Sequence, residues 1–127
     1  MFLRSRSVPL PHAIEASLVA LFGDAVRGVT LIEHSWFARL HWGAVATTRR
    51  RRIYLAGGAA EFFANPALIL HEYCHVMTQW EPGRLTRAGY VLECVRRGYW
   101  DNRFEVEARE FAQSHLYRFR ALLSRQA

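Results

Sequence analysis

Apolar positions change their period several times along this 127-residue chain, and each change marks an element. Residues 1–11 read as an extended lead-in, because Pro9 and Pro11 restrict the backbone and exclude a regular helix. From His12 to Phe22, apolar Ile14, Leu18, Leu21 and Phe22 recur at helical spacing, with Gly23-Asp24 as the stop. After Gly28, Val29, Leu31 and Glu33 alternate with Thr30 and Ile32, which predicts a short strand. Ser35 to His41 fits either helical turns capped by Ser35 or part of a sheet. Gly43 to Thr48 and Arg52 to Leu55 are strand-like runs, and a hairpin tip at Thr48 to Arg51 keeps the arginines in water.

Gly57-Gly58 begins a loop, and Ala59 to Phe63 reads as a turn. Asn65 to Gln79 reads as one helix, with Asn65 as cap, Pro66 at the first position and Pro82-Gly83 beyond its end. Arg84 to Arg97 is a second helical pattern, with Leu85, Ala88, Leu92 and Val95 on one stripe and Gly98 as stop. A last helix starts near Asp101 or Asn102 and runs to about Leu123. Phe104, Ala108, Phe111, Ala112, His115 or Leu116, and Phe119 line its inner face. These elements predict one α+β domain over 1–127, a small antiparallel or mixed sheet packed against a helical cluster.

Composition narrows the class. The apolar fraction of 51% fits a globular chain. No apolar run reaches the roughly 18 residues a membrane span needs, and the N-terminus lacks the apolar stretch of a signal peptide. A cytoplasmic protein, or one exported without a recognisable signal peptide, is the expectation. Cys74 and Cys94 show no C-x-x-C pattern and read as small buried thiols in a reducing compartment. All 17 basic residues are arginine, against 11 acidic ones. Coding bias alone can produce an arginine-only composition, which weakens any argument from charge to nucleic acid.

The chemistry concentrates at His71-Glu72-x-x-His75, the H-E-x-x-H arrangement of zinc hydrolases. Four-residue spacing places both imidazoles on one side of a helix. Neutral imidazole already offers a lone pair to Zn2+, but a third ligand is required while one position stays open for water. Glu105 is the first choice, since it shares a face with Ala108 and Ala112, whose small side chains permit close helix approach. Glu107 is the reserve, and Glu110 lies farther from the helix start. A competing role for Glu105 is a capping box with Asn102. Glu72 is the candidate general base, taking a proton from water and passing it to the leaving amine; its competing role is a helix-surface carboxylate.

Other positions carry weaker chemistry. Tyr90 and Tyr99 each fit the role of a phenol over a tetrahedral intermediate, and the sequence does not choose between them. His115 fits a core histidine better than an oxyanion donor, and His12, His34 and His41 have no ligand spacing. Cys74 fits a space-filling role better than a ligand. Arg49 to Arg52, with Trp42 and Tyr54 nearby, reads either as a nucleic-acid contact or, in preference, as a solvated turn at a sheet edge.

HEYCHVMTQ at 71–79, together with the FEVEAREFA segment, resembles the gluzincin-type zinc metallopeptidases, which add a downstream glutamate to H-E-x-x-H. PLP at 9–11, LFG at 21–23, VTLIE at 29–33 and RIYLAGG at 52–58 precede it in order. That order is similar to the small bacterial metallopeptidase-like domain associated with contractile injection systems and polymorphic toxins. The resemblance implies a minimal zincin-like fold, zinc on His71, His75 and Glu105, and Glu72 as base. It also implies a peptide or protein substrate, a toxin or injection-system protein among the possibilities.

Two departures stand out. Arg109 occupies the place of an expected aspartate, which removes the usual carboxylate support for a liganding histidine and leaves the arginine to pair with Glu105 or Glu110. Thr78 stands where glutamine is frequent. The expected function is a zinc-dependent endopeptidase. The alternatives are a nucleic-acid-associated metalloprotease and a non-catalytic zinc-stabilised interaction module; no membrane partner is expected.

Overall fold

The structure, a computed structural model, describes residues 4–35 and 46–126. Of the two segments predicted at Ser35–His41 and Gly43–Thr48, only Ser35 and the part from Ala46 onward fall within it, and Trp42 lies outside. In chain order the elements are β1 (Arg6–Val8), α1 (His12–Phe22), a 3-10 turn (Asp24–Gly28), β2 (Thr30–Glu33), β3 (Ala46–Arg49) and β4 (Arg52–Leu55). Then follow α2 (Ala59–Phe63), α3 (Pro66–Cys74), a π-helical turn (His75–Trp80), α4 (Arg87–Asp101) and α5 (Arg103–Gln126). The architecture is α+β.

The sheet is mixed, with strand order β1-β2-β4-β3. β1 and β3 run antiparallel to their neighbours, while the central pair β2 and β4 is parallel, Leu31 opposite Ile53. Alternation along β2 and β4 turns Leu31, Ile53 and Leu55 inward. They meet Ile14 and Leu18 of α1, Ile69, Leu70 and Tyr73 of α3, and Ala112 and Phe119 of α5 in one core. No helix among the described residues is long and apolar enough to cross a membrane.

Several boundaries differ from the sequence pattern, each for a local reason. The lead-in contributes β1, whose Ser7 and Val8 pair with Ile32 and Leu31. The Ala59–Phe63 turn is a short helix, and Ala59 N–H donates to Glu33 Oε1 at 3.3 Å at its start. Asn65 caps α3 as expected, its Oδ1 accepting from Leu68 N–H at 3.1 Å, but the continuous helix to Gln79 changes to π geometry at His75. α4 starts at Arg87 rather than Arg84, because Thr86 Oγ1 accepts from Gly89 N–H and caps it there.

The apolar stripe expected on α4 does not face the core. Ala88 is exposed, as are Leu92 and Val95, at 48% and 78% of their surface, and buried Leu85 precedes the helix. This helix instead turns Glu93 inward, where the carboxylate pairs with Arg97 and Arg103. Gly98, at φ 77°, interrupts the helical backbone where the stop was expected, in a conformation that favours glycine. Tyr99 and Trp100 follow that interruption.

Candidate metal centre

α3 and α5 pack against each other, and their crossing places the three candidate ligands together. Ala108 and Ala112 are buried on α5, consistent with close approach at small side chains. His71 Nε2 lies 3.2 Å from His75 Nε2 and 3.0 Å from Glu105 Oε1, and the His75–Glu105 separation is 3.1 Å. Donors around a tetrahedral zinc with bonds of about 2.0–2.1 Å stand about 3.3–3.4 Å apart. The near-equilateral triangle is therefore close to the size such an ion requires, and two imidazoles with one carboxylate suit zinc chemically.

Glu105 does not cap its helix. Asn102 Oδ1 accepts from Phe104 N–H, and Asn102 N–H donates to Tyr99 O, while the Glu105 carboxylate turns to the histidines. Its other oxygen, Oε2, accepts from Tyr90 Oη at 2.7 Å. Burial works to raise the Glu105 carboxyl, but hydrogen bonds from His71 and His75, the His75 charge and the Tyr90 hydroxyl hold it far below the usual range. Burial disfavours charge on His75 as well. The hydrogen bond and charge of Glu105, aided by Glu72 and Gln79, outweigh that and push the imidazole up to about 9.

Glu72 is buried beside the triangle, with Oε1 at 4.0 Å from His71 Nε2. Burial raises its carboxyl, opposed by the charges of His75 and His71 and reinforced by Glu105. An open cleft borders it, lined among others by Ala67, Leu68, His71, Tyr99 and Trp100. The two tyrosines separate here. Tyr90 donates to Glu105 at 2.7 Å, whereas Tyr99, 61% exposed overall, lines the cleft and donates only at 3.5 Å to Glu105 Oε1; partial desolvation of its hydroxyl and the charges of Glu105 and Glu72 push it up to about 12.

The remaining candidates lie elsewhere. Glu107 meets Arg84, Gln79 and Thr78, not the triangle, and Glu110 is exposed at the cleft. Arg109 pairs with neither Glu105 nor Glu110; it donates to Trp100 O and stacks 3.7 Å from that ring's centroid. Thr78 donates to Cys74 O and lies 3.3 Å from the buried Cys74 thiol, which burial pushes up to about 11. Both cysteines are free, Cys94 only half-buried beside Asn102. His115 bonds Phe111 O and stacks on Phe111, while His34 sits 3.6 Å from Glu33 and His12 is exposed. His41 lies outside the described residues.

Sequence reasoning missed Gln79. It is fully buried, and its Oε1 is 2.6 Å from His75 Nδ1. The four-residue spacing from His75 was the signal available.

No family model, curated protein or solved structure matches this chain.

Proposed function

We propose that this chain is a zinc-dependent endopeptidase of the gluzincin kind, with His71, His75 and Glu105 as the metal ligands and Glu72 as the general base. The observation that carries this reading is the convergence of three donor atoms from two helices to within 3.2 Å of one another, with a buried carboxylate beside them at the cleft. Zinc held there supplies Lewis acidity and lowers the pKa of water from about 15.7 towards 7.

The chain's own groups account for the remaining chemistry. Glu72 accepts a proton from the attacking water at a carboxylate oxygen and delivers it to the leaving nitrogen. Burial raises its carboxyl, the direction that helps a group return the proton it has taken. Tyr99 donates its phenolic proton in a hydrogen bond to the developing oxyanion, a role supported by its place on the cleft. Tyr90 holds Glu105 in position. The resemblance of its short motifs to the metallopeptidase-like domain of contractile injection systems and polymorphic toxins implies a protein substrate from such a setting.

The nucleic-acid reading draws less support from the arginine run. Arg50 and Arg51 pair with Glu81, and Arg49 lies over Trp80 and donates to Thr48 O. The test is cleavage of a broad peptide library by the zinc-loaded chain, read by mass spectrometry, beside Glu72→Gln. Cleavage by the unaltered chain alone supports the proposal. Retained zinc with no cleavage of any peptide removes the enzyme and leaves a metal-stabilised interaction module.

A further inference from the structure

A histidine can ligate through Nε2 only if its other nitrogen carries the proton, so whatever faces Nδ1 governs the ligand. For His75 that neighbour is the Gln79 side chain, 2.6 Å away in a site closed to solvent. An amide presents an acceptor at one end and donors at the other, so its orientation decides what His75 sees. Here the donor end is spoken for twice. Gln79 Nε2 donates to Phe104 O at 2.9 Å and to Glu107 Oε1 at 3.2 Å. Neither oxygen has a proton to give, so reversing the amide would set its carbonyl against two acceptors.

Glu107 is fixed in turn. Arg84 Nη1 and Nη2 donate to its two oxygens at 2.9 and 2.8 Å, and Arg84 Nη1 also donates to Thr78 O at 3.1 Å. The chain of contacts therefore runs Arg84 to Glu107 to Gln79 to His75, from an exposed guanidinium to a buried imidazole.

We infer that Gln79 is the positioning residue of this centre: it holds His75 as the Nδ1–H form, leaving Nε2 for the metal, while Glu107 and Arg84 fix which end of the amide faces the ring. The inference rests on the metal reading above. It also removes the difficulty posed by Arg109, because support for a liganding histidine comes from Gln79 on the same helical segment. Glutamine is specific for this place. A carboxylate at 79 would accept from Nδ1–H equally well, but it would confront Glu107 and the Phe104 carbonyl with no donor.

The test compares the full chain with Gln79→Met, which keeps length and loses both functions of the amide, and with Glu107→Leu at a partly exposed position. Two quantities are read: Zn2+ affinity by competition with a chromogenic chelator, and the tautomer of His75 from imidazole 15N shifts of the zinc-free chain, recorded at a pH where the ring is neutral. Gln79→Met is expected to weaken zinc binding about 10–100-fold and to abolish the single Nδ1–H signature. Glu107→Leu is expected to weaken binding less, through partial loss of the same signature. Were Gln79→Met too unstable to fold, Glu107→Leu carries the comparison alone.

Zinc affinity within about twofold of the unaltered chain, with the neutral zinc-free His75 still protonated on Nδ1 alone, overturns the inference, because an outer partner of a liganding histidine contributes more than that. A chain that takes no zinc at all sinks the metal reading instead. In that case the zinc-free 15N shifts still show whether Gln79 holds the Nδ1 proton.

Discussion

The donor triangle has two unlike sides. Towards the cleft, His71 keeps 16% of its side chain exposed, and the nearest ion-pair partner of Glu72 among the described residues is His71 at 4.0 Å. On the far side, His75 keeps 5% and is tied through Gln79 and Glu107 to Arg84. The closed side commits its hydrogen bonds to holding an imidazole in one orientation. The open side leaves a buried carboxylate and a phenol beside the space a substrate would enter. Rigidity and reactivity are thus divided across a few ångströms.

The division is broken most directly at Glu72. Glu72→Gln is expected to lower peptide cleavage about 10²–10⁴-fold with zinc affinity unchanged, measured on the same preparations. An equal loss of zinc would place Glu72 among the holding residues.

The tyrosines give the next contrast. Tyr99→Phe is expected to lower kcat about 10²–10³-fold without weakening zinc, as loss of an oxyanion donor does. Tyr90→Phe should weaken zinc binding about 10–100-fold, because it frees Glu105 Oε2. Identical profiles for the two variants would erase the distinction between the sides.

A pH series sharpens the picture of the closed side. In chelator-treated protein, the His75 imidazole is pushed above its ordinary 6.5 to about 9, so the stability it adds is complete below about 6.5 and is lost as pH rises through 9. Glu105 is held below its ordinary 4.5, so its contribution is present above that value and fades as pH falls beneath it. Stability from this pair therefore peaks between about 4.5 and 6.5, and a decline on the order of 2 kcal/mol towards pH 9 should appear in denaturant melts. Zinc affinity should rise over the same interval, since the metal displaces the Nε2 proton.

The smallest effect belongs to α4, outside both sides of the triangle. Val95→Asp, at a position 78% exposed, should change stability by no more than about 0.5 kcal/mol in the same melts.

The reading of α4 failed for a physical reason. Periodicity marks a helix with an apolar face, but not whether another element covers that face. Val91, Leu92 and Val95 lie in the open, while the polar residue between them, Glu93, is the one turned inward towards Arg97 and Arg103. The last helix was legible because Ala108, Ala112 and Phe119 do meet the core their spacing implied. At the centre, H-E-x-x-H placed two candidate donors and a candidate base on one stretch of helix by spacing alone. The third candidate followed from the face that Glu105 shares with Ala108 and Ala112, which ranked it ahead of Glu107 and Glu110, and the packed helices bring it to both histidines.

What the linear chain determined by itself is local: α1 and its glycine stop, the cap and proline of α3, the alternation of β2, and two imidazoles one turn apart. Each depends on neighbours within about four residues, where backbone geometry fixes direction. Tertiary packing decided the rest. The crossing of α3 and α5 set Glu105 against both histidines, and the same crossing brought Glu107 to the amide of Gln79. Those partners lie about thirty residues apart in sequence, a separation over which no periodicity persists and only the packed core fixes distance.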